Sequence, residues 1–366
     1  MYVSTFAVNI TKWDKPPSLR KIWAIHDSEL SKIGEATLSQ LEKGPRAAQI
    51  AWQGLAIHEF ADIQDQTFPK AGPYFNINFF YFEACSVLRE ALIAGLNGSI
   101  HASLAVLRPA FEMFVLHRYW KERRQNADTY DEFYGWFTGT AKAPGFGKLL
   151  GDCYQPEFPG SVTSADARVL YSKLCSYVHK PNWAESITTI RRGNVPGVPH
   201  TLLEYWSQVI YDLQMHIIDL LVRASPASIF PIDITRKFGF NPPVGLFFDQ
   251  ESYRILEKAL GKERAVVVRG VYEGLGTPAE IEWARSRSDL TDAKIFKSWP
   301  DDASPRLEGK TKAERIRHGR LMLKAKMRVI AQSTAYMKDA PTMPDIREFL
   351  SSIAKVSEDW NDEEEV

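Results

Sequence analysis

Cysteine, net charge and long apolar runs are what this chain has least of. Only three cysteines occur in 366 residues. Cys85, Cys153 and Cys175 lie far apart and form no CxxC pair, which excludes a cysteine zinc site and points to a reduced, cytoplasmic protein. The 45 lysines and arginines are matched by 45 aspartates and glutamates, so no global field draws the chain to nucleic acid or to an anionic membrane. Any such binding has to come from a local patch. No apolar run approaches the length that spans a bilayer, and "MYVSTFAVNITKWDKPP" lacks the basic and apolar regions of a signal peptide. No membrane partner is expected. Catalytic fingerprints are equally scarce: there is no HExxH, no Rossmann glycine pattern, no GxSxG and no zinc spacing. "APGFGKLL" lacks the first glycine and the hydroxyl residue of a phosphate loop, so Gly145, Gly147 and Lys148 read as a flexible loop. No cofactor and no metal are expected. His58-Glu59 and His216 sit in helical segments without matching partners and read as core or surface residues.

Helical periodicity is what the chain has in abundance over its first two thirds. "SLRKIWAIHDSELSKIGEATLSQLEKG" starts behind Pro16-Pro17 and stops at Gly44-Pro45, and "RAAQIAWQGLAIHEFADIQDQ" ends before Pro69. "YFNINFFYFEACSVLREALIAGL" is aromatic and apolar, and Asn97-Gly98-Ser99 breaks the chain behind it and can cap the next helix. A short aromatic helix around "TYDEFYGWF" precedes a Gly/Pro-rich loop from Gly139 to Gly160. Two helices follow, "SADARVLYSKLCSYVHK" and "PHTLLEYWSQVIYDLQMHIIDLLVRAS", stopped at Pro181 and Pro226. The expected fold is mainly α, a multi-helix bundle over residues 1–225. Near residue 226 the texture changes to proline, glycine and aromatics, and residues 226–366 read as a less regular, mostly helical C-terminal region with room for a short strand pair. "RAVVVRGVY" fits a strand or a buried helical turn. A basic helix over about 310–334, a shorter one near 344–356 and the acidic "EDWNDEEEV" close the chain.

The segment "IHASLAVLRPAFEMFVLHRYW" is greasy on nearly every side, yet it carries charge. At about 100° per residue, His101, Arg108, Glu112 and Tyr119 fall on one narrow line. A helix apolar on both flanks belongs inside a bundle, so its polar line faces a neighbouring helix. Arg108 and Glu112, one turn apart, are expected to be buried as a pair, because buried charge is costly unless paired. Two readings stand: a structural pair that fixes helix register, or the border of a site. Pro109 removes one backbone N–H and is expected to loosen the turn back to Ala105. In "SADARVLYSKLCSYVHKPNW" the same wheel puts Arg168, Ser172, Cys175 and His179 on one face. Leu170, Tyr171, Leu174, Tyr177 and Val178 form the apolar stripe. His179 is at the C-terminal end of this helix, where the dipole favours the protonated ring.

The pair of segments "SLAVLRPAFEMFVLHRYW" and "YSKLCSYVHK" resembles a pattern of uncharacterised bacterial helical proteins: an Arg-Pro-x-x-Glu helix followed by a Tyr-x-x-Leu-Ser-x-x-x-His-like helix. Arg108, Pro109, Glu112, Tyr171, Leu174 and His179 match, and Cys175 stands in place of the serine. The match covers roughly residues 75 to 220. Such proteins resemble the HEPN superfamily, helical bundles that often dimerise and in which some members cut RNA without metal. The resemblance implies RNA and a second copy of the chain as partners, with a stress or phage-defence role. The HEPN mark is Arg-x-(4–6)-His. Lys173 to His179 is the nearest match, with lysine in place of arginine, and Arg168 lies too far along the chain. If the chain is active, His179 moves the proton of the RNA 2′-hydroxyl, and Arg108, Arg168 or Lys173, beside Glu112, stabilises the phosphorane charge. The alternative is a non-catalytic scaffold, sensor or dimerisation module.

One strongly basic stretch remains, "KTKAERIRHGRLMLKAKMRVI". Lys312, Arg315, Arg317, Arg320 and Lys324 are candidates for contact with a phosphate backbone. The competing reading is a solvated face matched by Glu358, Asp359 and the acids that follow.

Overall fold

The computed structural model describes residues 32–63, 78–123, 129–142, 144–155, 157, 161–179, 200–239, 248–291, 294–295 and 311. A helix over residues 32–42 (α1) ends at the Gly44-Pro45 turn, and α2 (Ala47–Glu59) runs from there into a 3-10 turn at Phe60–Ile63. Then come α3 (Asn78–Leu96), α4 (Ile100–Arg123), α5 (Thr129–Phe137), α6 (Phe146–Cys153), α7 (Ser164–His179) and α8 (His200–Ala224). After a 3-10 turn at Pro226–Ile229 follow α9 (Ile234–Phe238), α10 (Gln250–Leu260), α11 (Lys262–Leu275) and α12 (Ala279–Ser286). The fold is mainly α, and among the described residues there is no strand. No described helix is long and apolar enough to cross a membrane.

α4 holds the centre. It forms a helical hairpin with α3 and packs against α6, α7 and α8. Leu107, Phe111, Phe114, Val115 and Trp120 are all fully buried, each stabilising the fold by about 1.5–3 kcal/mol relative to exposure. The hairpin turn is made by Gly98, whose φ of 83° allows the N–H groups of Gly98 and Ser99 to close back on Gly95 and Ala94 at 2.9 and 2.8 Å. That is a Schellman ending, for which a residue without Cβ is suited. Gly95 serves packing instead: a Cβ there would stand 2.3 Å from the ring of Trp206 on α8. The same indole donates to Ser103 Oγ on α4 at 2.8 Å, so one close approach ties α3, α4 and α8. Pro109 does not interrupt α4.

One local reading is corrected, and one open choice is decided. The stretch from Gly139 to Gly160 is not all loop, because α6 lies inside it. Gly145 is the N-cap residue of α6 while Gly147 and Lys148 are helical. Leu149, Leu150 and Cys153 bury one face, which outweighs the propensity cost of two helical glycines. "RAVVVRGVY" is helical, within α11, with Ala265, Val268 and Tyr272 buried at helical spacing and Val266 and Val267 exposed.

The texture change near residue 226 coincides with shorter helices that have explicit ends. Asp233 and Asp249 cap α9 and α10 by accepting from the backbone N–H groups of Arg236 and Ser252. Gly261 and Gly276, at φ 82° and 101°, end α10 and α11. Elements on either side of residue 226 meet directly. Ser252 Oγ donates to the buried Glu59 carboxylate at 2.6 Å, and the Phe60 and Phe248 rings lie 5.0 Å apart.

Candidate functional site

The polar line of α4 does face the helix that carries His179. Glu112 Oε1 accepts from Arg108 Nε at 2.9 Å and from the Tyr171 hydroxyl of α7 at 2.8 Å. The Arg108 guanidinium lies over the Tyr171 ring, 5.5 Å from its centroid. Further along α4, His101 meets the ring of Tyr177 edge-on, and Tyr119 carries the Arg123 guanidinium, which reaches Asp152 of α6 at 3.3 Å. Each member of the line thus meets an aromatic ring or a charge.

The pair is less sealed than the apolar flanks predict. The Arg108 and Glu112 side chains keep 22% and 28% of their exposure. Their hydrogen bond holds Arg108 more firmly protonated, the carboxylate favouring the charged form against a smaller effect of burial. Burial, with the Glu112 carboxylate second, pushes the Tyr171 phenol well above its ordinary range. Tyr171 therefore remains a neutral donor. Reading the α7 wheel as an apolar stripe missed this role; the signal was its hydroxyl, since a partly buried tyrosine beside a charged helix finds a polar partner.

Two other sequence candidates, Lys173 and Arg168, make their described contacts with other groups. Lys173 lies over the Tyr205 ring of α8 at 4.6 Å, on the flank of α7 opposite Tyr171. Two residues apart on a helix means about 160° apart in direction. There it also favours the charged form of Asp212, whose carboxyl burial otherwise raises. Arg168 is exposed and donates to the Gly147 carbonyl of α6 at 3.2 Å. α7 itself starts at a reciprocal cap, Thr163 and Asp166 bonding each other's side chain and backbone N–H at 3.1 Å. His179 is its last helical residue, with a side chain that lies outside the described residues. Lys312, Arg315, Arg317, Arg320 and Lys324 also lie outside them. Comparison with family models, with curated proteins and with solved structures found no match.

A second polar cluster, which sequence reasoning missed, is buried at the end of α8. Asp219 Oδ2 accepts from Arg223 Nε at 2.6 Å, with side chains only 4% and 2% exposed. Arg223 also donates to the Tyr154 carbonyl at 2.9 Å, and Arg264 of α11 approaches Asp219 Oδ1 at 3.4 Å. Lys121 of α4 donates to Ser225 Oγ at 2.7 Å. One turn back, His216 shares a 3.0 Å hydrogen bond with the Tyr154 hydroxyl, and burial pulls its imidazole down to about 4, so it is neutral at pH 7. "HIIDLLVRA" carried the signal, an acid and a base four residues apart within an apolar run, the same pattern that drew attention to Arg108 and Glu112. Among the described residues no three His, Cys, Asp or Glu side chains gather as metal ligands.

Proposed function

We propose that this chain is a HEPN-like helical module that works by binding, as a dimer through the outer face of α7, and that it does not cleave RNA. The observation that carries the reading is the divergence of the cations. Cleavage through the 2′-hydroxyl needs a proton-moving group and a cation aimed at one phosphate. Here Arg108 is held by Glu112, Lys173 by Tyr205 on the opposite flank of α7, and Arg168 by the Gly147 carbonyl. Meanwhile Ala165, Val169, Ser172 and Ser176 form an exposed strip of small and apolar residues on α7, with Val169 70% exposed. Such a strip permits close approach of a second helix.

The test is incubation of the purified chain and of a His179→Ala variant with total RNA at high protein concentration. The expected result is intact RNA in both. Cleavage by the wild type that the variant loses overturns the reading. Sedimentation of the same preparation addresses the assembly: a dimer that Val169→Arg splits is expected, and a monomer at all concentrations removes the dimeric part.

A further inference from the structure

A cavity of about 170 Å³ opens between the α1–α2 connection and the first two turns of α8. Pockets for drug-sized ligands run to about 300–1,000 Å³, so this one limits an occupant to a small molecule. Leu41 and Leu203 give it an apolar lining, and its charges divide between the two segments. The α1–α2 connection contributes Lys43 and Arg46, and α8 contributes Glu204 and Ser207. No ion pair of the described residues involves Lys43 or Arg46. Arg46 is also the N-cap residue of α2, which has no capping side chain and no acid in its first turn. The α2 dipole favours an acid there, and basic residues stand in its place. On α8, Glu204 Oε2 lies 3.5 Å from His200 Nδ1, while Glu204 Oε1 has no partner among the described residues. The Ser207 hydroxyl is buried and donates to the Glu204 carbonyl at 2.8 Å, which leaves its oxygen free to accept. One segment thus offers cations to a carboxylate, and the other offers acceptors to an ammonium group.

We infer that this cavity binds a small zwitterion, a free α-amino acid with an apolar side chain. Its carboxylate meets Arg46 and Lys43, its ammonium group meets Glu204 and Ser207, and its side chain lies on Leu41 and Leu203. A guanidinium presents paired N–H groups that match a carboxylate. A plain anion such as phosphate fits less well, because the Glu204 carboxylate lines the same cavity. A plain amine fits less well for the converse reason. The site shares no residue with the exposed strip of α7 and does not depend on the reading given for that strip.

Titration calorimetry on the full chain tests this, with L-alanine, L-valine, L-leucine and L-methionine as probes, one at a time. For L-leucine, 4-methylpentanoate removes the ammonium group and 3-methylbutylamine removes the carboxylate. Saturable binding of at least one amino acid is expected. It should weaken about tenfold or more in Arg46→Gln and in Glu204→Gln, the loss of one charged hydrogen bond. Neither side chain is in the core, and circular dichroism checks that both variants fold. Each leucine analogue should bind more weakly than leucine by a similar factor. No saturable heat with any of the four amino acids, or unchanged affinity in the folded variants, overturns the proposal. Binding of 4-methylpentanoate as tight as that of leucine, and indifferent to Glu204→Gln, overturns it too, because the site then takes a simple anion.

Discussion

Two ion pairs in this bundle obey the same spacing rule and differ in depth. Arg108–Glu112 and Asp219–Arg223 are both four residues apart on long helices with apolar surroundings. The first keeps 22% and 28% side-chain exposure and the second 4% and 2%. The first is bonded to the hydroxyl of Tyr171; the second is bound to a backbone carbonyl and to a third charge. Spacing thus reveals that a pair exists, while the packing of neighbouring helices decides what it contributes. A partly exposed pair is screened and weak. A buried one is costly to assemble and far more costly to break on one side only.

The contrast can be broken most sharply by removing the acid from each pair. Asp219→Ala is expected to destabilise by about 3–5 kcal/mol, because Arg223 is left buried without its carboxylate. Glu112→Ala is expected to cost about 1 kcal/mol. Urea unfolding of both variants reads this directly, and equal losses would mean that depth does not separate the two clusters.

Acid should act on the deep cluster first. The folded-state value of His216 lies below its unfolded value of about 6.5, so the unfolded chain takes up the proton first. The stability this group contributes is whole above about pH 6.5 and is lost as pH falls toward about 4. A shift of this size corresponds to a loss on the order of 3–4 kcal/mol. His216→Gln should flatten the wild-type slope between these limits in denaturant midpoints measured across pH. An unchanged slope would place the titrating group elsewhere.

The smallest effect belongs to the contact between α4 and α7. A double-mutant cycle of Glu112→Gln and Tyr171→Phe is expected to give a coupling of about 0.5–1.5 kcal/mol. Additive losses would show that the hydrogen bond contributes nothing in solution.

Much of this architecture was legible in the sequence. The breakers at Gly44-Pro45 and Asn97-Gly98-Ser99 end helices where they should, and the two-sided apolar surface of α4 places it at the centre. That its polar line faces a neighbouring helix was readable too, since a buried line must face something. α6 was not read, because glycine density at Gly145, Gly147 and Gly151 hid an apolar repeat at Phe146, Leu149, Leu150 and Cys153 whose burial decides the local structure. The flanks of α7 were not read either. A wheel gives relative direction but not which neighbour occupies each direction, so Lys173 and Arg168 could be grouped on paper with charges that the fold keeps apart from them. The Asp219–Arg223 pair was visible as spacing, yet its partners Tyr154 and Arg264 come from distant segments and no local pattern announces them.

The separation of Lys173 from Arg108 and Glu112 is the point on which the non-catalytic reading turns, and restoring the arginine that the resemblance expects tests it. Lys173→Arg should leave total RNA intact, because residue 173 points along the Tyr205 flank whichever cation it carries. RNA cleavage by Lys173→Arg that vanishes in the Lys173→Arg/His179→Ala double variant would contradict the account.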